Sequence, residues 1–444
     1  MNVGMVTLGC TKNQVDSEML LGVFKKEGFK IVNVVEEADI IIVNTCGFIE
    51  SAKVEAINTI LEMAEYKENG RCKKLIVTGC LAKRYKSDIM ATMPEVDLCI
   101  GVDEYSNISK ILSDFFKSKE ELSQTSFSHN LEFKDRMISS TYPLAYIRIS
   151  DGCDNRCSYC AIPLIRGGFK SRKMEDILSE VENLANQGIK EFCIISQDTS
   201  KYGLDIYGEL KLSELLNKIS KIVGVKWIRI LYMYLFETTD ELIKEIAQNE
   251  KICNYFDIPI QHLNDKILKD MNRHDNKKII YERISRIKEL VPDAILRTTC
   301  IVGFPGETEQ EFEELLTGIK ELKFDRLGAF SYSREEDTQS YHLNNQINEE
   351  IKTKRLEKIF EIQKEVSLEK NKQRLGQNYE VIVEDISENE EYFSCRSMLE
   401  APDVDGRIYI KIDKDSSSKI IIGEYINVKI IDYNEYDLFA EIID

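Results

Sequence analysis

No run of apolar residues in this 444-residue chain approaches the roughly 20 needed to cross a bilayer. A membrane-spanning helix is therefore not expected. The start, Met1 to Thr11, lacks a basic segment and a small-residue cleavage pattern. It alternates like a buried strand, so no signal peptide is expected and the cytoplasm is the expected location. Histidine is scarce: His129, His262, His274 and His342 are scattered, and none shows ligand spacing. Only His262 follows a strand at a position facing a barrel mouth. Positive charge is in deficit, with 59 basic against 77 acidic residues and a net charge of −18. That balance argues against a surface built to grip phosphate backbones, and no direct nucleic-acid binding is expected. Cysteine, by contrast, is plentiful at twelve residues. In a reducing compartment such a count points to metal binding or catalysis rather than to disulfides.

The length allows roughly two to four domains, and three regions separate by pattern. Residues 1–116 alternate strand-like runs (Val3–Leu8, Ala38–Asn44, Lys74–Thr78 and a weaker one near Leu98) with helix-like stretches at about Asn13–Glu27 and Glu50–Lys67. Such alternation predicts an open, mostly parallel α/β sheet. Lys117–Ser140 has no sustained period and reads as a linker (117–140). Residues 141–372 carry six strand–helix repeats, with strands near Ala145–Ser150, Glu191–Ser196, Trp227–Tyr232, Tyr255–Ile260, Ile295–Val302 and Arg326–Tyr332. Six repeats suit a partial βα barrel. Its helix Met174–Gln187 presents Ile177, Leu178, Val181, Leu184 and Ala185 on one face, with Gly188 just past its end. A further helix starts at Thr308 with a capping box to Glu311. Residues 373–444 switch to short β-branched runs between turns and predict a small all-β barrel or sandwich. This last region holds seven basic and seventeen acidic residues, a net charge of −10 and more than half of the chain's total.

Within Ile-Ser-Asp-Gly-Cys153-Asp-Asn-Arg-Cys157-Ser-Tyr-Cys160, three thiols lie in eight residues directly after the first barrel strand. A 4Fe-4S cluster usually takes four cysteines. A trio with no fourth nearby leaves one iron open, and the amino and carboxylate groups of S-adenosyl-L-methionine can chelate there. A zinc knuckle would want a fourth close ligand, and three core cysteines at this spacing would be a coincidence. Spacing, placement and the aromatic Tyr159 before the last cysteine resemble the radical S-adenosylmethionine superfamily. So does Cys300-Ile-Val-Gly303-Phe-Pro-Gly-Glu307-Thr308, where glycine lets backbone approach a flat ligand. Ser196-Gln197-Asp198-Thr199 ends the second strand and offers polar groups to the same ligand. Tyr159, Gln197, Gly303 and Glu307 are thus the candidate cofactor contacts.

Cys10, Cys46 and Cys80 each stand just after a predicted buried strand. In a parallel sheet these positions share the ligand-binding edge. Their spacing alone fits two readings equally: a second cluster with an open iron, or three small buried residues at strand ends. The remaining six cysteines (Cys72, Cys99, Cys193, Cys253, Cys300 and Cys395) show no ligand spacing.

Two cysteine trios, a βα barrel and a small β domain together resemble the methylthiotransferases over nearly the whole chain, and Leu-Gly-Cys10-Thr-Lys-Asn-Gln-Val-Asp-Ser-Glu and Val-Asn-Thr-Cys46-Gly-Phe-Ile are similar to that family's first domain. The resemblance implies a second 4Fe-4S cluster at Cys10, Cys46 and Cys80, and a TRAM-like C-terminal domain. It implies that one S-adenosylmethionine methylates sulfur held at that cluster. A second is cleaved to a 5′-deoxyadenosyl radical at Cys153, Cys157 and Cys160. It also implies an external electron donor and sulfur source. Cys46–Lys53, Ser196–Thr199, Asp257–His262 and Ala401–Gly406 resemble the branch that modifies an aspartate of ribosomal protein twelve of the small subunit, rather than the branch that modifies adenosine in transfer RNA. The acidic last region points the same way, since it would attract a very basic ribosomal protein. Two segments depart from the branch pattern. Leu235 stands where proline is usual, and Arg334, Asp337 and Gln339 stand where proline, glycine and proline are usual. A less rigid loop after the sixth strand is expected.

Overall fold

The computed structural model describes residues 1–117, 127–129, 131–412 and 420–443. The chain divides into two compact units. The first comprises Met1–Ser139, Tyr146–Lys170 and Ser333–Tyr341. The second comprises Ser140–Ala145, Ser171–Tyr332 and His342–Asp444.

In the first unit, β1 (Asn2–Thr7), β2 (Lys30–Ile31), β3 (Ile40–Thr45), β4 (Lys74–Gly79) and β5 (Leu98–Gly101) form a parallel sheet in the order β2-β1-β3-β4-β5. Helices α1 (Thr11–Lys26), α2 (Glu50–Asn69), α3 (Cys80–Thr92) and α4 (Ile108–Lys117) accompany it. β3 reads Ile-Ile-Ile-Val-Asn-Thr and is buried throughout, as a parallel strand covered on both faces should be. Its side chains alternate between two cores. Ile41 and Val43 join Ala56, Ile60 and Met63 of α2, whereas Ile40 and Ile42 join Leu20 and Phe24 of α1. Truncating one of these isoleucines to alanine would cost about 2–5 kcal/mol.

The stretch expected to be a linker requires correction. Residues 118–126 and 130 lie outside the described residues, but 117, 127–129 and 131–139 are part of the first unit. Phe127 stacks on Phe29 and Phe116 with ring centroids 5.7 and 5.5 Å away. Arg136 pairs with Glu18 at 3.0 Å, both side chains buried. Phe127 and the Arg136–Glu18 pair, together with Lys26–Asp135 and His129–Glu27, hold a segment whose average composition is that of a loop.

β6 (Leu144–Arg148) begins in the second unit and runs into the first, followed by β7 (Ser150–Asp151), α5 (Ile162–Arg166) and β8 (Lys170–Ser171). The second unit continues with β9 (Glu191–Ile195), β10 (Trp227–Ile230), β11 (Tyr255–Asp257), β12 (Ile295–Val302) and β13 (Arg326–Ser331). These strands form two three-stranded sheets, β10-β9-β6 and β11-β12-β13. The six expected strands of the partial barrel are all present. The helix expected over Met174–Gln187 spans Met174–Asn186, buries Ile177, Val181 and Leu184, and is followed by Gly188 at φ +99°. The capping box at the helix Glu309–Leu322 also forms, with Thr308 N–H donating to Glu311 at 2.6 Å.

β14 (Asn378–Ile386), β15 (Tyr392–Ser397), β16 (Ile408–Lys411), β17 (Tyr425–Tyr433) and β18 (Leu438–Ile442) close a barrel in the order β14-β15-β16-β18-β17. Val381, Val383, Phe393, Ile408, Val428 and Leu438 fill it. A buried ion network binds this barrel to the strands before it. Glu191 accepts from Arg229 at 3.2 Å and pairs with Arg396, which also reaches Glu384 at 2.7 Å. No helix among the described residues is long and apolar enough to cross a membrane.

Candidate metal centre

The strand ends of the first unit gather Cys10, Cys46 and Cys80. Cys10 precedes α1, Cys46 follows β3, and Cys80 opens α3. Gly9 stands at φ +88°, and a Cβ there would lie 2.8 Å from Cys46 Cβ and 3.2 Å from its sulfur. Glycine beside Cys10 is thus what lets the two loops touch. The three thiols are close enough for their charges to interact. Burial pushes the Cys80 thiol up to about 12, opposed by the Arg166 guanidinium. Burial also raises Cys46, so loading metal on these thiols releases protons.

Cys80 is held from two sides. Its sulfur lies 3.6 Å from Asn13 Oδ1 and 3.9 Å from Arg166 Nη2. Asn13 is itself fixed, donating to the Leu8 and Thr45 carbonyls at 3.0 and 3.1 Å. Arg166 Nη2 also donates to Asn13 Oδ1 at 3.0 Å and to Asp16 at 2.7 Å. Asp16 accepts a second guanidinium from Arg148 at 2.5 Å.

Arg166 closes α5, and α5 follows the loop of Cys153, Cys157 and Cys160. That loop is pinned at its entry. Cys153 N–H donates to Gly167 O at 3.1 Å, and a Cβ on Gly152, at φ +72°, would lie 2.1 Å from Gly168 O. Cys160 N–H donates to Cys157 O at 3.0 Å, and Ile162 N–H points at the Cys160 sulfur at 3.5 Å. The three cysteines, with Asp154, Arg156, Pro163, Leu164, Gly168, Asp337, Thr338 and Gln339, line a cavity of about 290 Å³. Tyr159 is half-buried in the same loop.

Residues 333–341 complete this unit. Glu335 is buried and takes Arg84 at 2.8 Å and Lys53 at 3.2 Å. Arg84 also donates to the carbonyl of Gly47, next to Cys46, at 2.9 Å. Ser340 N–H donates to Ser158 O, inside the cysteine loop, at 2.8 Å. One segment therefore touches the surroundings of both cysteine trios. Arg334 donates to the Tyr341 carbonyl at 3.0 Å and stacks on the Tyr341 ring. Asp337 adopts φ +63°, where glycine would be free of strain. Leu235 is fully buried.

Gln197, Gly303 and Glu307 belong to the second unit and follow β9 and β12. Gly303 has φ +72°. Glu307 is buried, accepts from the N–H groups of Gly303 and Phe304, and pairs with Arg355 at 3.3 Å. Its carboxylate shapes the loop from within. His262 is buried beside it, 3.6 Å away.

Among the described residues no three Cys, His, Asp or Glu side chains close tightly enough to hold a single metal ion. Thiols in threes at loop mouths instead fit iron–sulfur clusters with one iron left open. Asn13, Asp16, Arg84, Arg148, Arg166 and Glu335 are the site residues that motif spacing misses. Only the residue order Cys10-Thr-Lys-Asn13-Gln-Val-Asp16 hints at two of them.

Three family models match the chain: the uncharacterized protein family UPF0004 over residues 2–101, the radical SAM superfamily over 147–318, and the TRAM domain over 375–443. Two curated relatives are named "Ribosomal protein uS12 methylthiotransferase RimO". The one from Acetivibrio thermocellus is 49% identical and covers 100% of this chain and 98% of its own. The one from Alkaliphilus oremlandii is 47% identical, covering 100% and 99%. Among solved structures, the radical S-adenosylmethionine methyltransferase TsrM from Kitasatospora setae matches with a TM-score of 0.54 over 74% of each chain. At 13% identity that likeness concerns the fold alone.

Proposed function

Because the chain belongs to the RimO family of radical S-adenosylmethionine methylthiotransferases, we propose that it adds a methylthio group to the β-carbon of an aspartate in ribosomal protein uS12. Cys153, Cys157 and Cys160 hold the 4Fe-4S cluster that membership of the radical SAM superfamily entails, and Cys10, Cys46 and Cys80 hold a second. With S-adenosylmethionine bound, the first would supply the carbon radical needed to take hydrogen from an unactivated C–H bond, and the second would hold the sulfur to be transferred.

The observation that carries this reading is the gathering of both cysteine trios in one compact unit, joined by Arg166. Arg166 and Asn13 aim the Cys80 sulfur. Glu335 fixes the segment that passes both loops. Gln197 and Gly303 serve S-adenosylmethionine at the strand ends, and Glu307 holds the backbone that Gly303 presents. The chain needs an electron donor and a sulfur source from outside.

A basic protein substrate fits the charge of the last domain. Some of its acid is spent internally, since Glu384 and Glu400 are buried against arginine. Asp385, Glu388, Glu390 and Glu391 remain exposed on one hairpin. This face repels a phosphate backbone and attracts lysine and arginine.

The test is an anaerobic incubation of the cluster-loaded protein with S-adenosylmethionine, reductant and sulfide. Two substrates are offered: a peptide from the target loop of uS12 and unmodified transfer RNA. Mass spectrometry is expected to find the methylthio group on the peptide's aspartate. Addition to transfer RNA alone would overturn the substrate assignment.

A further inference from the structure

Helix α2 starts four residues after Cys46 and carries two apolar stripes about 100° apart around its axis. Its inner face is explained by the core, where Ala56, Ile60 and Met63 are buried. Its outer face is not. Val54, Ile57 and Leu61 are 49, 41 and 47% exposed. At 100° per residue these three fall within a sector of about 60°. Glu50 precedes them on the same line, and Glu65 and Glu68 follow it. Glu55, Glu62, Ser51, Asn58 and Asn69 complete the exposed surface. It offers no basic side chain: Lys53 is turned inward to Glu50 and Glu335, and Lys67 is held by Asp97. A helix that needs only one apolar stripe to fold carries a second, ringed by carboxylates.

The ring of charge selects the occupant. A second copy of the chain would set glutamate against glutamate. Nucleic acid and anionic lipid would be repelled. A protein segment with apolar side chains flanked by lysine or arginine would match the stripe and neutralise its rim. We propose that the outer face of α2 docks such a basic segment of the ribosomal substrate protein, away from the target aspartate. This rests on the uS12 reading above and adds a substrate-holding surface distinct from both cysteine sites.

The experiment compares the intact uS12 protein with the short target-loop peptide as substrates of the cluster-loaded full-length enzyme. The variants are Val54→Ser/Ile57→Ser/Leu61→Ser and, touching no apolar residue, Glu55→Gln/Glu62→Gln/Glu65→Gln. Both should raise KM for the intact protein about tenfold, leaving kcat, peptide KM and S-adenosylmethionine cleavage unchanged. The glutamine variant should also weaken the salt dependence of KM. A photo-crosslinking residue in place of Ile57 should give an adduct with intact uS12 that excess unlabelled uS12 suppresses. Unchanged KM in the glutamine variant together with no adduct would overturn the docking surface. Failure of the unsubstituted enzyme to modify either substrate would instead overturn the underlying functional assignment.

Discussion

Arg166 donates to Asp16 at 2.7 Å, with both side chains buried in the first unit. Arg166 lies just after the Cys153–Cys160 loop, and Asp16 lies on the helix that begins after Cys10. The pair ties the backbone behind one cysteine trio to the backbone behind the other. It also fixes the guanidinium that faces Cys80.

Replacing Arg166 by alanine strands part of a buried carboxylate, although Arg148 still partners Asp16. A stability loss of about 3 kcal/mol is expected, read as an earlier urea midpoint at unchanged slope. Iron at Cys10, Cys46 and Cys80 should yield faster to a chelator, and Arg166→Lys should recover part of both effects. Unaltered chelation kinetics in Arg166→Ala would show that Cys80 needs no such support.

Glu335 anchors residues 333–341 through Arg84 and Lys53. Glu335→Ala should release the segment and expose Arg334 to trypsin. Faster cleavage after Arg334, seen by peptide mass mapping, is expected at temperatures where the fold persists. An unchanged cleavage rate would mean that the Ser340–Ser158 contact suffices.

Glu307 holds Gly303 and Phe304 from below. Glu307→Ala should weaken S-adenosylmethionine binding about tenfold by equilibrium dialysis, with the iron content kept. Glu307→Gln retains an acceptor and should lose less. Equal losses in the two variants would point to charge rather than loop shape.

Glu400 gives a pH prediction with a definite sign. Burial pushes its carboxyl up, but Arg374 and Arg326 more than offset this and hold it at about 2. A carboxyl held below its ordinary value of 4.5 adds stability above that value. The contribution drains away as pH falls toward 2. Acid unfolding should therefore steepen between about 4.5 and 2. Glu400→Gln should flatten that limb while lowering stability at neutral pH. A parallel acid limb in the variant would contradict the assignment.

Much of this is legible in the sequence because it rests on local pattern. The uninterrupted Ile40–Thr45 run gives a buried parallel strand. Thr308 and Glu311 give a helix start, and the spacing of Cys153, Cys157 and Cys160 gives a cysteine-bearing loop after a strand. What escapes is contact between residues distant in the chain. Phe127 lies in a stretch that looks like linker, and only the cluster of Phe24, Phe29 and Phe116 gives it a place. Arg166 and Asp16 are 150 positions apart, and neither has a periodicity that announces the other. Glu335 reads as one more surface acid until Arg84 and Lys53 surround it. Arg334 shows the converse: a proline position is filled by a residue whose stacking on Tyr341 no propensity scale anticipates.

The most direct test separates the two cysteine trios by their chemistry. The Cys10→Ala/Cys46→Ala/Cys80→Ala variant should keep about four irons per chain and still release 5′-deoxyadenosine from S-adenosylmethionine. It should transfer no methylthio group to the uS12 peptide. Cys157→Ala should release no 5′-deoxyadenosine. Methylthio transfer by the triple variant, or 5′-deoxyadenosine from Cys157→Ala, would contradict the division of labour between the two sites.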